Sequence, residues 1–150
     1  MIKPNLKELG LATLEHKPLD TDSKVKYLMQ KTEADVCLLT KSAEGMSLYH
    51  LEGIQDFEII PSEVYDVTGA GDTVISVAAL CLSQNTPTEI LGFLSNLAGG
   101  IVCEYSGVVK LDKEKLYKEA VLHYNKSKKE AEKTKREISK YSKAIIIKSN

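Results

Sequence analysis

Asp66-Val67-Thr68-Gly69-Ala70-Gly71-Asp72 runs straight into Thr73-Val74-Ile75-Ser76-Val77-Ala78-Ala79-Leu80-Cys81-Leu82, an uncharged and largely apolar stretch. The second stretch reads as a helix over 73–82. It is apolar almost all round, so the expectation is a buried helix and not a surface one. Two glycines flanking one small residue let the backbone turn sharply and aim successive N–H groups at one point. The free N–H groups and the positive dipole end of the following helix add to that point, which makes an anion hole suited to a phosphate. Asp72 at its mouth has the chemistry to take a proton from an attacking hydroxyl. The same letters also read as a plain turn in which Asp72 caps the helix. They are neither a dinucleotide fingerprint, because Val74 stands where the third glycine belongs, nor a Walker A loop, because no Lys-Ser/Thr pair follows.

Working outward, Pro87 opens a second long helix over 88–105 with Ile90, Leu91, Phe93, Leu94, Leu97, Ile101 and Val102 facing inward, and Gly99-Gly100 permits close backbone approach within it. Ser106-Gly107 breaks that helix, and Asp112 caps another over 112–124. Upstream, Asp35-Val36-Cys37-Leu38-Leu39-Thr40 is a short, nearly continuous apolar run, the pattern of a parallel strand buried on both faces. Further strands are expected from Gly45 to Tyr49 and from Asp56 to Ile60, the latter ended by Pro61. Helices are expected over 5–14 and 21–31, the second capped from within Thr21-Asp22-Ser23. Helices interleaved with strands in this way predict an α/β fold with helices on the faces of a sheet.

The chain has 150 residues, enough for one domain with a real core. Apolar residues at 43% and charged residues at 27% exclude global disorder. No apolar run reaches the ~18 residues of a membrane span, and the start Met1-Ile2-Lys3-Pro4-Asn5 carries no signal-peptide core. Cys37, Cys81 and Cys103 are widely spaced and odd in number, which fits small buried hydrophobes in a reducing cytoplasm better than a disulfide framework or zinc site. The net charge of −1 conceals an asymmetry: residues 1–112 hold 8 basic and 16 acidic side chains, residues 113–150 hold 12 and 5. The basic tail lacks interleaved aromatic residues for base stacking, so residues 126–150 read as a solvated helix or disordered extension with no nucleic-acid or membrane role.

The Asp66–Asp72 heptad resembles the C-terminal signature of the ribokinase (PfkB) family of ATP-dependent carbohydrate kinases. Two further segments fall in the family's order: Pro4-Asn5-Leu6-Lys7-Glu8 is similar to its N-x-x-E motif, and Thr40-Lys41-Ser42-Ala43-Glu44-Gly45 to its nucleotide-binding strand-to-turn segment. The words around them, including Asn96-Leu97-Ala98-Gly99-Gly100-Ile101-Val102, look most like the branch acting on heptose 7-phosphate in lipopolysaccharide heptose synthesis. The resemblance covers residues 1–112. It implies the nucleotide-binding half of a ribokinase-like three-layer α/β/α sandwich, followed by a terminal helix over 113–125 and a charged extension over 126–150.

It also implies roles. Asp72 would be the catalytic base, and Gly69, Ala70 and Gly71 the anion hole. Thr40, Ser42, Gly45 and Asn96 would border the nucleotide. Asn5 and Glu8 would act through water on magnesium and the phosphates, and Asp66, Thr68, Val102 and Gly107 would surround a monovalent cation such as potassium. The implied cofactors are ATP and Mg2+, with K+ as a further ion. Before the N-x-x-E segment the family places its sugar site and the first strands of its sheet, whereas here Pro4 follows Met1 by three positions. The expectation is therefore that the strand delivering Asn5 and Glu8 is missing, that Val36–Leu39 forms an open edge, and that the chain alone transfers no phosphoryl group. It would need a complementary N-terminal half or self-associate as a homo-oligomer. Two other readings stay open: a different sugar or nucleoside kinase of the family, and a non-catalytic nucleotide-binding or interaction module.

Overall fold

The computed structural model describes residues 1–16, 18–60, 63–123, 125, 126, 129 and 132. In chain order these form α1 (Leu6–Ala12), a 3-10 turn at Leu14–His16, α2 (Thr21–Lys31), β1 (Cys37–Thr40), a 3-10 turn at Ser42–Glu44, β2 (Met46–His50), β3 (Gly53–Phe57), α3 (Ala70–Ser83) and α4 (Thr88–Cys103). Residues 113–123 are helical as well, and Asp112 caps them through bonds from the Glu114 and Lys115 amides. The chain divides into two units, Met1–Leu111 and Asp112–Asn150. The end of the expected terminal helix at Tyr124, the strand stop at Pro61 and nearly all of the 126–150 extension lie outside the described residues.

The sheet corrects the sequence reading in three ways. Its order is β1-β2-β3 and both named pairings are antiparallel, with Cys37 opposite Tyr49 and Met46 opposite Phe57. A strand that is apolar on both faces needs cover on both faces; it does not need parallel neighbours, and β1 has that cover in an antiparallel pair. The third strand falls at Gly53–Phe57, earlier than expected, because a tight turn after His50 fixes its register. Finally, β1 is not an open edge. Residues 2–5 lie parallel to it, bridging Ile2 to Cys37 and Asn5 to Thr40. Ile2 exchanges bonds with Val36 and Leu38 at 2.9 Å, and the Thr40 amide donates to Pro4 at 3.1 Å. The strand expected to be missing is present as this short segment.

The register sorts the strand residues onto two faces. On one, Cys37, Leu39 and Tyr49 form a core with Leu9 of α1 and Val25 of α2, extended by Ile2, Leu28 and Met29. Tyr49 donates its hydroxyl to Asp22 at 2.8 Å, so α2 is also held by a polar bond whose burial raises the phenol pKa. Burial likewise pushes the Cys37 thiol up to about 12, and all three cysteines are free and buried. On the other face, Leu38, Leu48, Met46 and Phe57 lie under α4, which packs on β2 and β3 and along α3. Gly92 of α4 sits where a Cβ would drive into the Phe57 ring. Helices on both sides of one sheet make this a three-layer α/β/α arrangement.

Helix α3 departs from its expectation. Val74, Val77, Ala78 and Cys81 are buried, but Ala79 and Leu80 are exposed, so apolar residues all round the helix do not mean burial all round. The cap of α2 is Asp20, one residue before the predicted Thr21-Asp22-Ser23.

Candidate functional site

The Asp66–Asp72 turn is held by its own side chains. One oxygen of Asp66 accepts the Thr68 amide at 2.9 Å and its hydroxyl at 2.7 Å; the other accepts the Gly107 amide at 2.9 Å. These three bonds, led by the Thr68 hydroxyl, hold the Asp66 carboxyl down at about 2. The Tyr65 and Asp66 amides both donate to the Cys103 carbonyl, next to Val102. Asp66, Thr68 and Gly107 are therefore tied into one cluster, with Val102 on the adjoining last turn of α4.

Gly69 is the N-cap of α3 with φ +79°, a left-handed conformation that costs a Cβ-bearing residue about 1–2 kcal/mol. It contributes no side-chain cap, in contrast to α1 and α2, which are capped by Asn5 and Asp20. Ala70 donates to Val67 and Thr73 to Gly69, whereas the Gly71 and Asp72 amides have no acceptor among the described residues. Asp72 is not an N-cap. It stands inside the first turn, exposed, its carboxylate outside any capping bond.

Lys3 completes this corner, and the sequence reading gave it no role. A Cβ built on Gly71 would come within 3.2 Å of its Nζ. Lys3 is half-buried, and no carboxylate pairs with it among the described residues. Lys3 thus places a cation beside the positive end of α3, where the first-turn carboxylate is Asp72. Once residues 2–5 are placed as a strand, alternation turns Lys3 to the face opposite Ile2, toward α3.

The other predicted residues lie at the ends of the same strands. Asn5 and Glu8 form a reciprocal capping box on α1, each accepting the other's amide at 2.8 Å, so both have a local structural task. Thr40 ends β1 beside Asn5. Ser42 (φ +53°) opens the 3-10 turn and Gly45 (φ +82°) closes it. A Cβ on Gly45 would collide with the Phe57 carbonyl, so backbone packing alone requires glycine here. Lys41 reaches Asp56 at 3.0 Å, and Ser47 donates to the same carboxylate, which lowers the Asp56 pKa. Asn96 donates to the Glu58 carbonyl at 2.8 Å, tying α4 to the chain leaving β3. The structure thus gathers Lys3, Asn5, Thr40 and the start of α3 at one end of the parallel pair, while Asn96 bonds the segment after β3.

Residues 1–115 match the family model described as pfkB family carbohydrate kinase. The chain belongs to the pfkB family of carbohydrate kinases. Among its relatives, the bifunctional protein HldE of Acidiphilium cryptum is 36% identical over 104 residues, covering 68% of this chain and 21% of the relative. The HldE of Syntrophotalea carbinolica is 33% identical over 129 residues, covering 83% and 26%. The chain therefore spans about a quarter of the length of these relatives. The fold is that of solved ribokinase-like kinases. Phosphofructokinase-2 from Escherichia coli in complex with potassium superposes with a TM-score of 0.70 at 19% identity, covering 81% of this chain and 40% of that one. Ribokinase from Thermotoga maritima gives 0.68 at 18% identity, covering 77% and 40%. Among the described residues, no helix is long and apolar enough to cross a membrane.

Proposed function

We propose that this pfkB chain is the nucleotide-binding portion of an ATP-dependent sugar kinase acting on heptose 7-phosphate in the cytoplasm. The observation that carries the reading is the corner of donors at the start of α3: the Lys3 ammonium beside Gly71, and the Gly71 and Asp72 amides without acceptors. That donor set suits phosphate oxygens, which accept bonds and carry negative charge. The heptose assignment is supported by the HldE relatives and by the motif words around the Asp66–Asp72 turn.

MgATP, when bound, supplies the transferable phosphoryl group. The chain's own contribution is positioning and charge stabilisation, which dominate phosphoryl transfer. Lys3 and the Gly71 and Asp72 amides hold the anionic oxygens, and Gly69 and Ala70 shape the turn that aims them. Asp72, exposed on the first turn, takes the proton of the acceptor hydroxyl as its oxygen attacks phosphorus. Thr40, Ser42, Gly45 and Asn96 border the nucleotide, and the free oxygen of Glu8 with the Asn5 amide group serves a hydrated magnesium. The Asp66 carboxylate, with Thr68, Val102 and Gly107 beside it, would hold K+, which would supply positive charge near the turn. The sugar pocket and turnover depend on a complementary N-terminal kinase portion.

Titration calorimetry with MgATP tests this, using the chain alone and mixed with the N-terminal kinase portion of a relative. Lys3→Ala should weaken binding at least ~10-fold. Asp72→Asn should leave binding intact and lower turnover of the completed kinase by ~10²–10⁴. Failure to bind MgATP in either form, or unchanged turnover with Asp72→Asn, overturns the assignment.

A further inference from the structure

Three consecutive residues at the exit of β3, Asp56, Phe57 and Glu58, each hold a different part of the proposed nucleotide border. The Asp56 carboxylate meets the Lys41 ammonium at 3.0 Å. The Phe57 carbonyl lies where a Cβ on Gly45 would stand, so the turn closes directly onto it. The Glu58 carbonyl accepts the Asn96 amide group at 2.8 Å. Lys41 heads the 3-10 turn Ser42–Glu44 and Gly45 ends it. Two of the three contacts therefore fall on that turn and the third on α4.

The sheet register puts Asp56 in place for this. Leu39, Ser47 and Asp56 lie opposite one another across β1, β2 and β3, and so share one face. Lys41 follows Leu39 by two positions and reaches the same row. Ser47, which is buried, donates its hydroxyl to the carboxylate oxygen that also takes Lys41, so the acceptor is anchored from within the sheet. The turn needs such a hold. Ser42 sits at φ +53°, a left-handed conformation that persists in a residue with a side chain only where the surroundings fix it. No side chain caps the turn. Its own bonds run from the Lys41 amide to the Gly45 carbonyl at 2.8 Å, and from the Glu44 and Gly45 amides back to Lys41 and Ser42 at 3.1 Å each.

We propose that Asp56 is a positioning residue for the nucleotide: by holding the Lys41 ammonium it sets the Ser42–Gly45 turn against the end of β3. This deepens the reading above and rests on it. Asp56 acts through Lys41 and not on the ligand. Phe57 and Glu58 work through main-chain carbonyls, which leaves Asp56 as the side chain of this segment that shapes the border. The Asp56 side chain is 68% exposed, so the pair adds little to global stability and its effect is local. Charge alone predicts the opposite outcome for the ligand. A carboxylate near a polyanion repels it, so deleting the carboxylate would tighten MgATP, whereas loss of positioning weakens it.

The test is MgATP titration calorimetry on the full 150-residue chain, alone and completed as above, beside amide hydrogen exchange of the chain without ligand. Asp56→Ala should weaken MgATP by about three- to fivefold, the most that an exposed ion pair supplies. Lys41→Met should do the same, and the double variant should be no weaker than either single one. In each variant the Glu44 and Gly45 amides should exchange faster by a similar factor, with the melting temperature nearly unchanged. Glu52→Ala removes another exposed carboxylate of the same hairpin and should alter neither affinity nor exchange. Unchanged or tighter MgATP binding in Asp56→Ala, or losses that add in the double variant, overturn the proposal. Exchange separates it from the kinase reading. If the unsubstituted chain binds no MgATP in either form, the kinase reading falls, and the two amides still decide the positioning: faster exchange in Asp56→Ala keeps it, and unchanged exchange overturns it.

Discussion

Helix α4 buries nine of its sixteen residues, among them Leu91, Ser95, Ala98 and Val102, whereas α3, comparably apolar, buries four of fourteen and leaves Leu80 in solvent. Composition does not separate the two helices; their neighbours do. Gly92 lets α4 close on Phe57 of β3, and Gly99 lets it close on Val74 of α3, so one stripe of α4 meets both a strand and a helix. On its other side α3 meets nothing among the described residues. An apolar helix is stabilised by what covers it, and the described residues leave one side of α3 uncovered.

The largest effect that would break this comparison is at Leu91, which is fully buried in α4. Leu91→Ala should destabilise the chain by about 2–5 kcal/mol, read as a shifted denaturation midpoint, from lost burial and the cavity left behind. A cost below ~1 kcal/mol would mean that α4 is no better packed than the open side of α3. A smaller change sharpens the same contrast at the helix–helix contact. A Cβ at Gly99 would lie 2.8 Å from Val74 Cγ2, so Gly99→Ala must push α3 and α4 apart. About 1–2 kcal/mol of destabilisation is expected, the strain being partly offset by the helix preference of alanine. Adding Val74→Ala should give a double mutant more stable than the summed single costs, by about 1 kcal/mol. Strict additivity would remove that contact as the reason for the glycine.

Much of this was legible in the sequence because periodicity and turn chemistry are local. The Asp66–Asp72 turn, the helices that follow it and the buried cysteines could be read from adjacent residues. Sheet partners could not, because a strand buried on both faces reads the same whether its neighbours are parallel or antiparallel. The segment Ile2–Asn5 was too short to announce a strand, and only its bonds to Val36, Leu38 and Thr40 reveal one. Lys3 was missed for the same reason, its placement depending on that strand's register. The bare side of α3 was invisible in principle: hydropathy reports what a residue tolerates, not whether a neighbour has been supplied.

The smallest effect concerns the junction between the two helices. Asp66 stands before α3 and holds Gly107, just beyond the end of α4, at 2.9 Å. Its carboxyl falls from an ordinary 3.8 to about 2 in the folded chain, through the Thr68 hydroxyl, the Thr68 amide and the Gly107 amide. A carboxyl depressed on folding stabilises the fold above its unfolded pKa and ceases to do so as pH falls through its folded one. That contribution should be whole above about pH 4 and vanish toward pH 2. Asp66→Asn removes the titration while keeping one acceptor and the side-chain shape. Melting curves of the two proteins should therefore differ modestly from pH 5 to 7 and converge as the pH approaches 2. Curves that stay parallel down to pH 2 would show that the Asp66 charge does not join the start of α3 to the end of α4, leaving the helices held together by their apolar packing, Val74 against Gly99 within it.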